Sequence, residues 1–375
     1  MRVKAILLSM IMLSMPCVAY GSEPEVTVYQ ESWDQIISSI EDNEHGGIYI
    51  DNGVLHIKPI EDMPIASVFS VDDTTENTIQ IDPVAKYSME ELKAAKKLIS
   101  ENREALDVNS IATSNRYNSI IVTSSCWNDN KKEAVKSIAG IDNIIYEIRE
   151  NGNDVDYVPT PSADQENTTP YSLIPYRIGE EMVNSDTDSR QTIGGCVTLG
   201  SSSGFITTAH GNNIGDKMVG IGTDSFGTVN KLKMGGSVDA VFVKKGPNDN
   251  IDLTDKVRLS SNPSNLGTIS SAGAPPAEGA VVRFGNSSGY SIAVILANDW
   301  EGDWDGQIDS NNYYTNMLHL DIGSSEGDSG GPCMSYLTSD GTYKLVALTK
   351  GTLENGEGIA TRWDSIQDEF GVSIY

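Results

Sequence analysis

An all-β C-terminal domain behind a smaller α+β N-terminal domain is the fold class that the sequence predicts, and three observations carry it. The chain has 375 residues, enough for two domains of ordinary size. Helical periodicity is confined to the first half, whereas the second half consists of short apolar runs separated by Gly, Asn, Ser and Asp. Between them lies "VPTPSADQENTTP", Val158 to Pro170, with three prolines and almost nothing apolar, which reads as an exposed linker.

The first element is a leader. "MRVKAILLSMIMLSMPCVAYGS" sets Arg2 and Lys4 before an apolar run from Ala5 to Met15, then small residues ahead of a cut after Gly21. That is the layout of a secretory signal peptide over residues 1–21. The apolar run is too short for a membrane span, and Pro16 makes Cys17 a poor lipidation site. Residues 22–157 then form the α+β domain. Trp33, Ile36, Ile37 and Ile40 have helical spacing. "GGIYIDNGVLHIKPI" alternates about Asn52-Gly53 and reads as a hairpin. "SMEELKAAKKLISENREAL" is a capped helix, with Ser88 as cap and Glu91 three residues on. "YNSIIVTSS", "NKKEAVKSIAG" and "NIIYEIRE" read as strand, helix, strand. Residues 158–170 are the linker and a processing region, and residues 171–375 the β domain. Its strand signals include "GGCVTLG", "GFITTAHG", "VDAVFVKKG", "GAVVRFG", "YSIAVILA" and "YKLVALTKG", a spacing that suits a barrel or sandwich. Only "RWDSIQDEFG" suggests a helical turn or two.

Charge narrows the partners. The net charge is −27, which argues against nucleic acid or an anionic membrane as partner. Residues 22–170 carry 28 acidic and 11 basic residues, and residues 171–375 carry 25 and 13. Both halves are acidic, so charge complementarity is not expected to hold them together.

The candidate chemistry starts at "EGDSGGPC", Glu326 to Cys333. A Ser hydroxyl needs a base to take its proton, and that base is usually a His oriented by a carboxylate. The chain has four His, of which only His210 and His319 lie in the β domain. His210 ends an apolar strand where small residues open into a loop; His319, in "NMLHLDIG", reads as a packed strand residue. Asp239, in "GGSVDAVFVKK", is flanked by Val238 and Ala240, and a carboxylate in apolar surroundings needs a partner. An imidazole N–H would serve. Gly327 and Ser329 would direct two backbone N–H groups at a developing oxyanion. Asp328 between them would sit either in the tight turn or in a salt bridge to a newly made N-terminus.

The order His210, Asp239, Ser329, in "TTAHG", "VDAVFV" and "GDSGGP" at separations of 29 and 90 residues, resembles the chymotrypsin-like serine peptidases, and most of all the small secreted bacterial streptogrisin and alpha-lytic group. "PYRIGEEMV", "VVRFGNSSGYSIAVI" and the ending "SIQDEFGVSIY" extend the resemblance over about residues 171–375. It implies a double β-barrel of chymotrypsin-like type, and an N-terminal pro-domain that assists folding and blocks the cleft, removed by a cut between about residues 158 and 172. The α+β domain fits that role in size and position. By the same resemblance the primary pocket is walled by Gly323, Ser324, Ser325 and Glu326, by Thr349, Lys350 and Gly351, and by Gly358. Lys350 replaces the usual apolar residue; it either favours acidic side chains or points to solvent. A medium-sized apolar or polar residue is expected in this pocket.

The relatives bracket the catalytic His with a disulfide. Here Cys196 fits the first position, but Gly211 follows His210 where the second Cys would stand. Cys333 is unusual in its place, and a Cys196–Cys333 bridge is therefore expected, closing a separation of 137 residues. Cys126 would leave with the pro-domain. The loop containing Asp299, Asp303, Asp305 and Asp309 lacks a full calcium-loop pattern and is read as an exposed acidic loop; no metal or other cofactor is expected.

Together these readings predict a secreted, monomeric serine endopeptidase made as a zymogen. Ser329 would be the nucleophile, His210 the base and Asp239 its orienting partner, with Gly327 and Ser329 forming the oxyanion hole. Its partners would be protein or peptide substrates and its own pro-domain as intramolecular chaperone and inhibitor, with no nucleic acid and no stable membrane insertion. A catalytically weak or silent binding or adhesion module, and a serine esterase, are the alternatives.

Overall fold

The computed structural model describes residues 37, 40–51, 54–61, 79–149, 177–220, 225–249, 251, 253–260, 264–276, 279–304, 313–337 and 340–375. The leader, most of the Trp33–Ile40 helix, the Asn52-Gly53 turn, the 158–170 linker, Asp305 and Asp309 lie outside the described residues. Among the described residues no helix is long and apolar enough to cross a membrane.

The N-terminal unit has two small sheets. Strands β1 (His45–Asp51) and β2 (Val54–Pro59) pair antiparallel, and β3 (Ile79–Ile81) joins β2 in parallel. Helix α1 (Met89–Glu101) starts where the sequence places its cap: Ser88 Oγ accepts from the Glu91 N–H at 3.2 Å, and Glu91 returns a carboxylate oxygen to the Ser88 N–H at 2.8 Å. It stops at Asn102, followed by the short α2 (Arg103–Leu106). Strands β4 (Ser110–Ser114) and β5 (Ser119–Ser124), helix α3 (Asp129–Ala139) and β6 (Ile144–Ile148) complete the unit. Leu92, Ala95 and Ile99 of α1 and Val135 and Ala139 of α3 bury their apolar stripes against Ile111, Ile120 and Val122 of the sheet.

Beyond residue 176 the described residues form strands and their connections, apart from one helix near the end. Strands β7 (Glu181–Asn184), β8 (Ser189–Thr192), β9 (Gly195–Leu199), β10 (Ser202–Thr207), β11 (Lys217–Val219), β12 (Ser225–Gly235) and β13 (Val238–Lys244) form one sheet in the order β9-β10-β13-β12-β11-β7-β8. It curls so that Met182 near one end and Phe205 near the other share a core with Phe226, Val241 and Val243. The remaining strands are β14 (Lys256–Arg258), β15 (Leu266–Ala272), β16 (Gly279–Gly285), β17 (Gly289–Asp303), β18 (Tyr313–Leu320), β19 (Pro332–Leu337), β20 (Thr342–Thr352) and β21 (Gly358–Arg362). Six of them close a ring, β16-β17-β18-β21-β20-β19 and back to β16. Helix α4 (Trp363–Phe370) buries Trp363, Ile366 and Phe370 in the core between the two β bodies, and the final strand β22 (Ser373–Ile374) returns to pair with β9. Two β bodies side by side are the double barrel the sequence led us to expect.

The two units share a sheet. Strand β4 pairs with the long hairpin strand β17 through Ile111 opposite Glu301 and Ser110 opposite Gly302, so β4, β5 and β6 extend the second barrel's sheet. This corrects the reading that charge does not join the halves. Lys96 lies 3.2 Å from Asp299 and 3.5 Å from Glu301, and Arg103 donates to Asp303 at 2.7 Å. Thr113 donates to Asp299 through both its N–H and its hydroxyl, at 3.1 and 2.9 Å. Net charge hid this, because two basic residues of an acidic unit, Lys96 and Arg103, meet the hairpin's carboxylates. The exposed acidic loop is corrected for the same reason: Asp303 is fully buried and Asp299 is a bridging residue between the units.

Candidate active site

Two loops and one strand bring the site together. Strand β13 lies between two cores. Val238, Ala240 and Phe242 face one, Val241 and Val243 the other, and Asp239 falls on the second face at the strand's start. His210 follows β10 by three residues in a buried turn. Its carbonyl accepts from Gln191 Nε2 at 2.7 Å, and Asn212 ties the turn back to Gln191 and to the Thr208 carbonyl, each at 2.9 Å. Ser329 occupies the loop before β19. Its backbone carbonyl accepts from the Thr192 N–H at 2.8 Å.

His210 Nδ1 is 2.8 Å from Asp239 Oδ2, and His210 Nε2 is 2.9 Å from Ser329 Oγ. An ionised carboxylate only accepts, so Nδ1 carries the proton and the Nε2 lone pair faces the Ser329 hydroxyl. Asp239 Oδ1 accepts from the backbone N–H groups of Ala209, at 2.7 Å, and His210, at 3.1 Å. These bonds fix the carboxylate plane and leave Oδ2 for the imidazole. Full burial of Asp239 works against its charge, but the Lys350 ammonium, His210 and their hydrogen bonds outweigh it and hold the carboxyl far below the usual carboxylate range.

The glycines around Ser329 have definite tasks. Gly327 has φ +87° and Gly330 φ +86°, conformations that a side chain would strain, and a Cβ on Gly330 would come within 2.0 Å of Thr207 Oγ1. The Gly327 carbonyl accepts from Thr192 Oγ1 at 2.7 Å, which pins the loop to β8. Among the described residues neither the Gly327 nor the Ser329 N–H is taken by a protein acceptor. Asp328 takes the first of its two expected settings. Its carboxylate accepts from the N–H groups of Ser287, Ser288 and Ser325, at 2.9, 3.0 and 2.9 Å, and from the Ser288 hydroxyl.

The segments assigned to the primary pocket do converge beside Ser329. Ser329 Oγ also approaches the Lys350 carbonyl, at 3.3 Å, and the Gly330 N–H donates to the Thr349 carbonyl at 2.8 Å. Across the base, Gly323 donates to the Gly356 carbonyl at 2.7 Å, and Ser324 and Thr352 exchange hydrogen bonds. A Cβ on Gly358 would meet the Ile322 carbonyl at 2.3 Å. The buried Arg283 supports this base from behind, donating to the Ile322 and Gly323 carbonyls. Ser325 lies exposed at the edge of this wall, Glu326 half-buried beside it, and Gly351 is buried in β20.

Two expectations are corrected here. The Lys350 side chain neither lines the pocket nor meets solvent. It is fully buried, with Nζ 2.9 Å from Asp239 Oδ2 and over the rings of Trp304 and Tyr314, at 4.0 and 4.5 Å from their centroids. A Lys just after the apolar run Leu345–Leu348 of β20 was the visible signal; its partner on another strand was not. The Cys196–Cys333 bridge is absent, and both thiols are free and buried. Cys196 lies in the core between the β bodies, while Cys333 faces the interior of the closed barrel, with Sγ 3.7 Å from Thr349 Oγ1. Burial raises both thiols above their usual range, Cys196 to about 11.

His319 is a packed strand residue, as read, with Nε2 2.7 Å from Glu357. It lines a cavity of about 180 Å³ at the seam of the two units, together with Glu147, Arg149 and Trp300. None of His210, Asp239 and Ser329 lines that cavity.

No family model matches the chain, and no curated protein does. Solved structures similar to it are bacterial chymotrypsin-like serine proteases. A Nocardiopsis protease is 21% identical, covering 54% of this chain and 99% of its own, with a TM-score of 0.44. Thermobifida fusca protease A is 20% identical over 54% and 98%, with 0.42, and a Cellulomonas bogoriensis chymotrypsin 20% over 54% and 99%, with 0.43.

Proposed function

We propose that the chain is a secreted serine endopeptidase made as a zymogen. The observation that carries this reading is the unbroken hydrogen-bonded series Asp239–His210–Ser329, beside two backbone N–H groups without a protein acceptor among the described residues. His210 Nε2 takes the Ser329 hydroxyl proton as Oγ attacks the scissile carbonyl carbon. The carbonyl oxygen gains the charge, and the Gly327 and Ser329 N–H groups receive it. Asp239 holds the imidazole in the tautomer that leaves Nε2 free to accept, and stabilises the imidazolium. That proton passes to the leaving amine, giving an acyl-enzyme on Ser329, and water completes hydrolysis through the same His210.

Residues 22–157 are the pro-domain in this reading, released by a cut between about residues 158 and 172. The β4–β17 pairing and the Lys96 and Arg103 ion pairs support a role in guiding or restraining the second barrel. Residues 1–21 direct export. The site favours a side chain of medium size next to the scissile bond, against the Gly323–Ser324 wall.

Labelling by a fluorophosphonate tests the reading. Covalent capture of Ser329, abolished in Ser329→Ala, is the expected result. A processed, folded chain that takes no label would overturn it in favour of a silent binding module, and labelling with cleavage of esters but of no peptide would favour the esterase.

A further inference from the structure

We infer that Lys350 is a positioning residue of the Asp239–His210–Ser329 series, whose ammonium keeps His210 able to accept the Ser329 proton in more acidic solution than the three residues alone would allow. The inference rests on the peptidase reading above and adds to it the pH range over which this site works.

The geometry is specific. Asp239 Oδ2 receives His210 Nδ1 at 2.8 Å and Lys350 Nζ at 2.9 Å. Two bonds meeting on one atom keep the ammonium and the imidazole within the sum of those lengths. The other carboxylate oxygen is already taken by the Ala209 and His210 N–H groups, so the two cation-capable groups share one acceptor. Lys350 and Asp239 are both fully buried. An ammonium out of water needs compensation, and here the carboxylate and the faces of Trp304 and Tyr314 supply it.

Protonation of His210 would put a second positive charge across the carboxylate from the first. Unit charges at such a range repel strongly enough, away from water, to move a titration by a unit or more. The sign follows directly: the ammonium opposes the imidazolium, so the neutral imidazole persists to lower pH.

Few other charges compete. Strand β13 contributes Asp239 itself, the His210 turn only His210, and the nucleophile loop the half-buried Glu326 and Asp328, whose carboxylate is turned to Ser287 and Ser288. Strand β18 presents the Tyr314 ring, and the β17 end carries Asp303, with Arg103 of the N-terminal unit upon it. Thr349 and Gly351 beside Lys350 and Thr361 on β21 are uncharged.

The test follows the rate of fluorophosphonate capture against pH in the full chain, for the parent, Lys350→Met and Lys350→Gln. Met keeps the volume and removes charge and hydrogen bond; Gln removes the charge and keeps a donor, so the second variant carries the comparison should the first fail to fold. Both folded variants are expected to shift the acid midpoint of the profile upward by at least one unit. At the parent's midpoint they would then label at roughly a tenth of their own plateau. A merely structural Lys350 would lower stability and leave the midpoint in place, and an unchanged or lowered midpoint in a folded variant overturns the inference. A parent that takes no label at any pH, before or after the cut between about residues 158 and 172, removes the peptidase reading itself, and the inference with it.

Discussion

Asp328 gives the sharpest quantitative test of how the nucleophile loop is held. Its carboxylate receives four donors: the N–H groups of Ser287, Ser288 and Ser325 and the Ser288 hydroxyl. Replacing it with Ala removes all four acceptor contacts and leaves a gap in a buried position. The three serines are exposed, so water can reach most of the abandoned donors, and each bond should count near the lower part of its usual range. Four charge-assisted bonds at somewhat under 1 kcal/mol give a loss of about 3 kcal/mol. Asp328→Asn keeps one acceptor oxygen but sets an amide donor against the remaining N–H groups, and should lose about half as much. The assay is urea unfolding of the full chain in a Ser329→Ala background, which removes the candidate nucleophile. In the parent background, capture of Ser329 by fluorophosphonate should slow by about 100-fold in Asp328→Ala, because the Gly327 and Ser329 N–H groups lose their fixed direction. A variant as stable as its parent within about 1 kcal/mol, and labelled as fast, would refute the claim that Asp328 braces the loop.

Two further outcomes are expected. Burial lowers His45 to about 4 from 6.5, so between those values the unfolded chain binds a proton that the folded chain refuses, and stability falls as pH falls. The loss should reach roughly 3 kcal/mol by pH 4; His45→Gln should flatten that part of the urea-midpoint profile, and an unchanged slope would show that another group is responsible. Thiol titration should find Cys196 and Cys333 unreactive in the native chain and both reactive after denaturation without reductant; an intact peptide pair joined through the two sulfurs would contradict the free, buried thiols.

Much of the fold was legible because local and global signals agree. Ser88 and Glu91 announce α1, and the Gly-Asn-Ser punctuation after residue 171 announces strands. His210, Asp239 and Ser329 were recoverable one by one, since each sits in a context that needs explaining: a His where a strand opens, a carboxylate in apolar sequence, a serine among glycines. What stayed hidden depends on partners brought in from afar. Lys350 reads as a solvent or pocket residue until β13 lies beside β20 and the Trp304 and Tyr314 rings close over it. Cys196 and Cys333 invite pairing in the sequence, but their strands direct the thiols into two different cores. Lys96, Arg103 and Asp299 look like scattered surface charges until β4 meets β17, because no one-dimensional pattern records a contact between residues about 200 positions apart.

That meeting of β4 and β17 has one more consequence. A boundary made of backbone ladder differs from one made of side chains, because parting it uncovers a row of N–H and C=O groups with a fixed spacing. If the N-terminal unit leaves, the Glu301–Gly302 stretch becomes a bare margin of the barrel, able to accept any extended segment of matching length. The departing β4 carries the complementary margin. Such a departure would thus create two adhesive rims where there had been one continuous surface, and the carboxylates of Asp299, Glu301 and Asp303 flanking the barrel's rim would repel a second copy of itself.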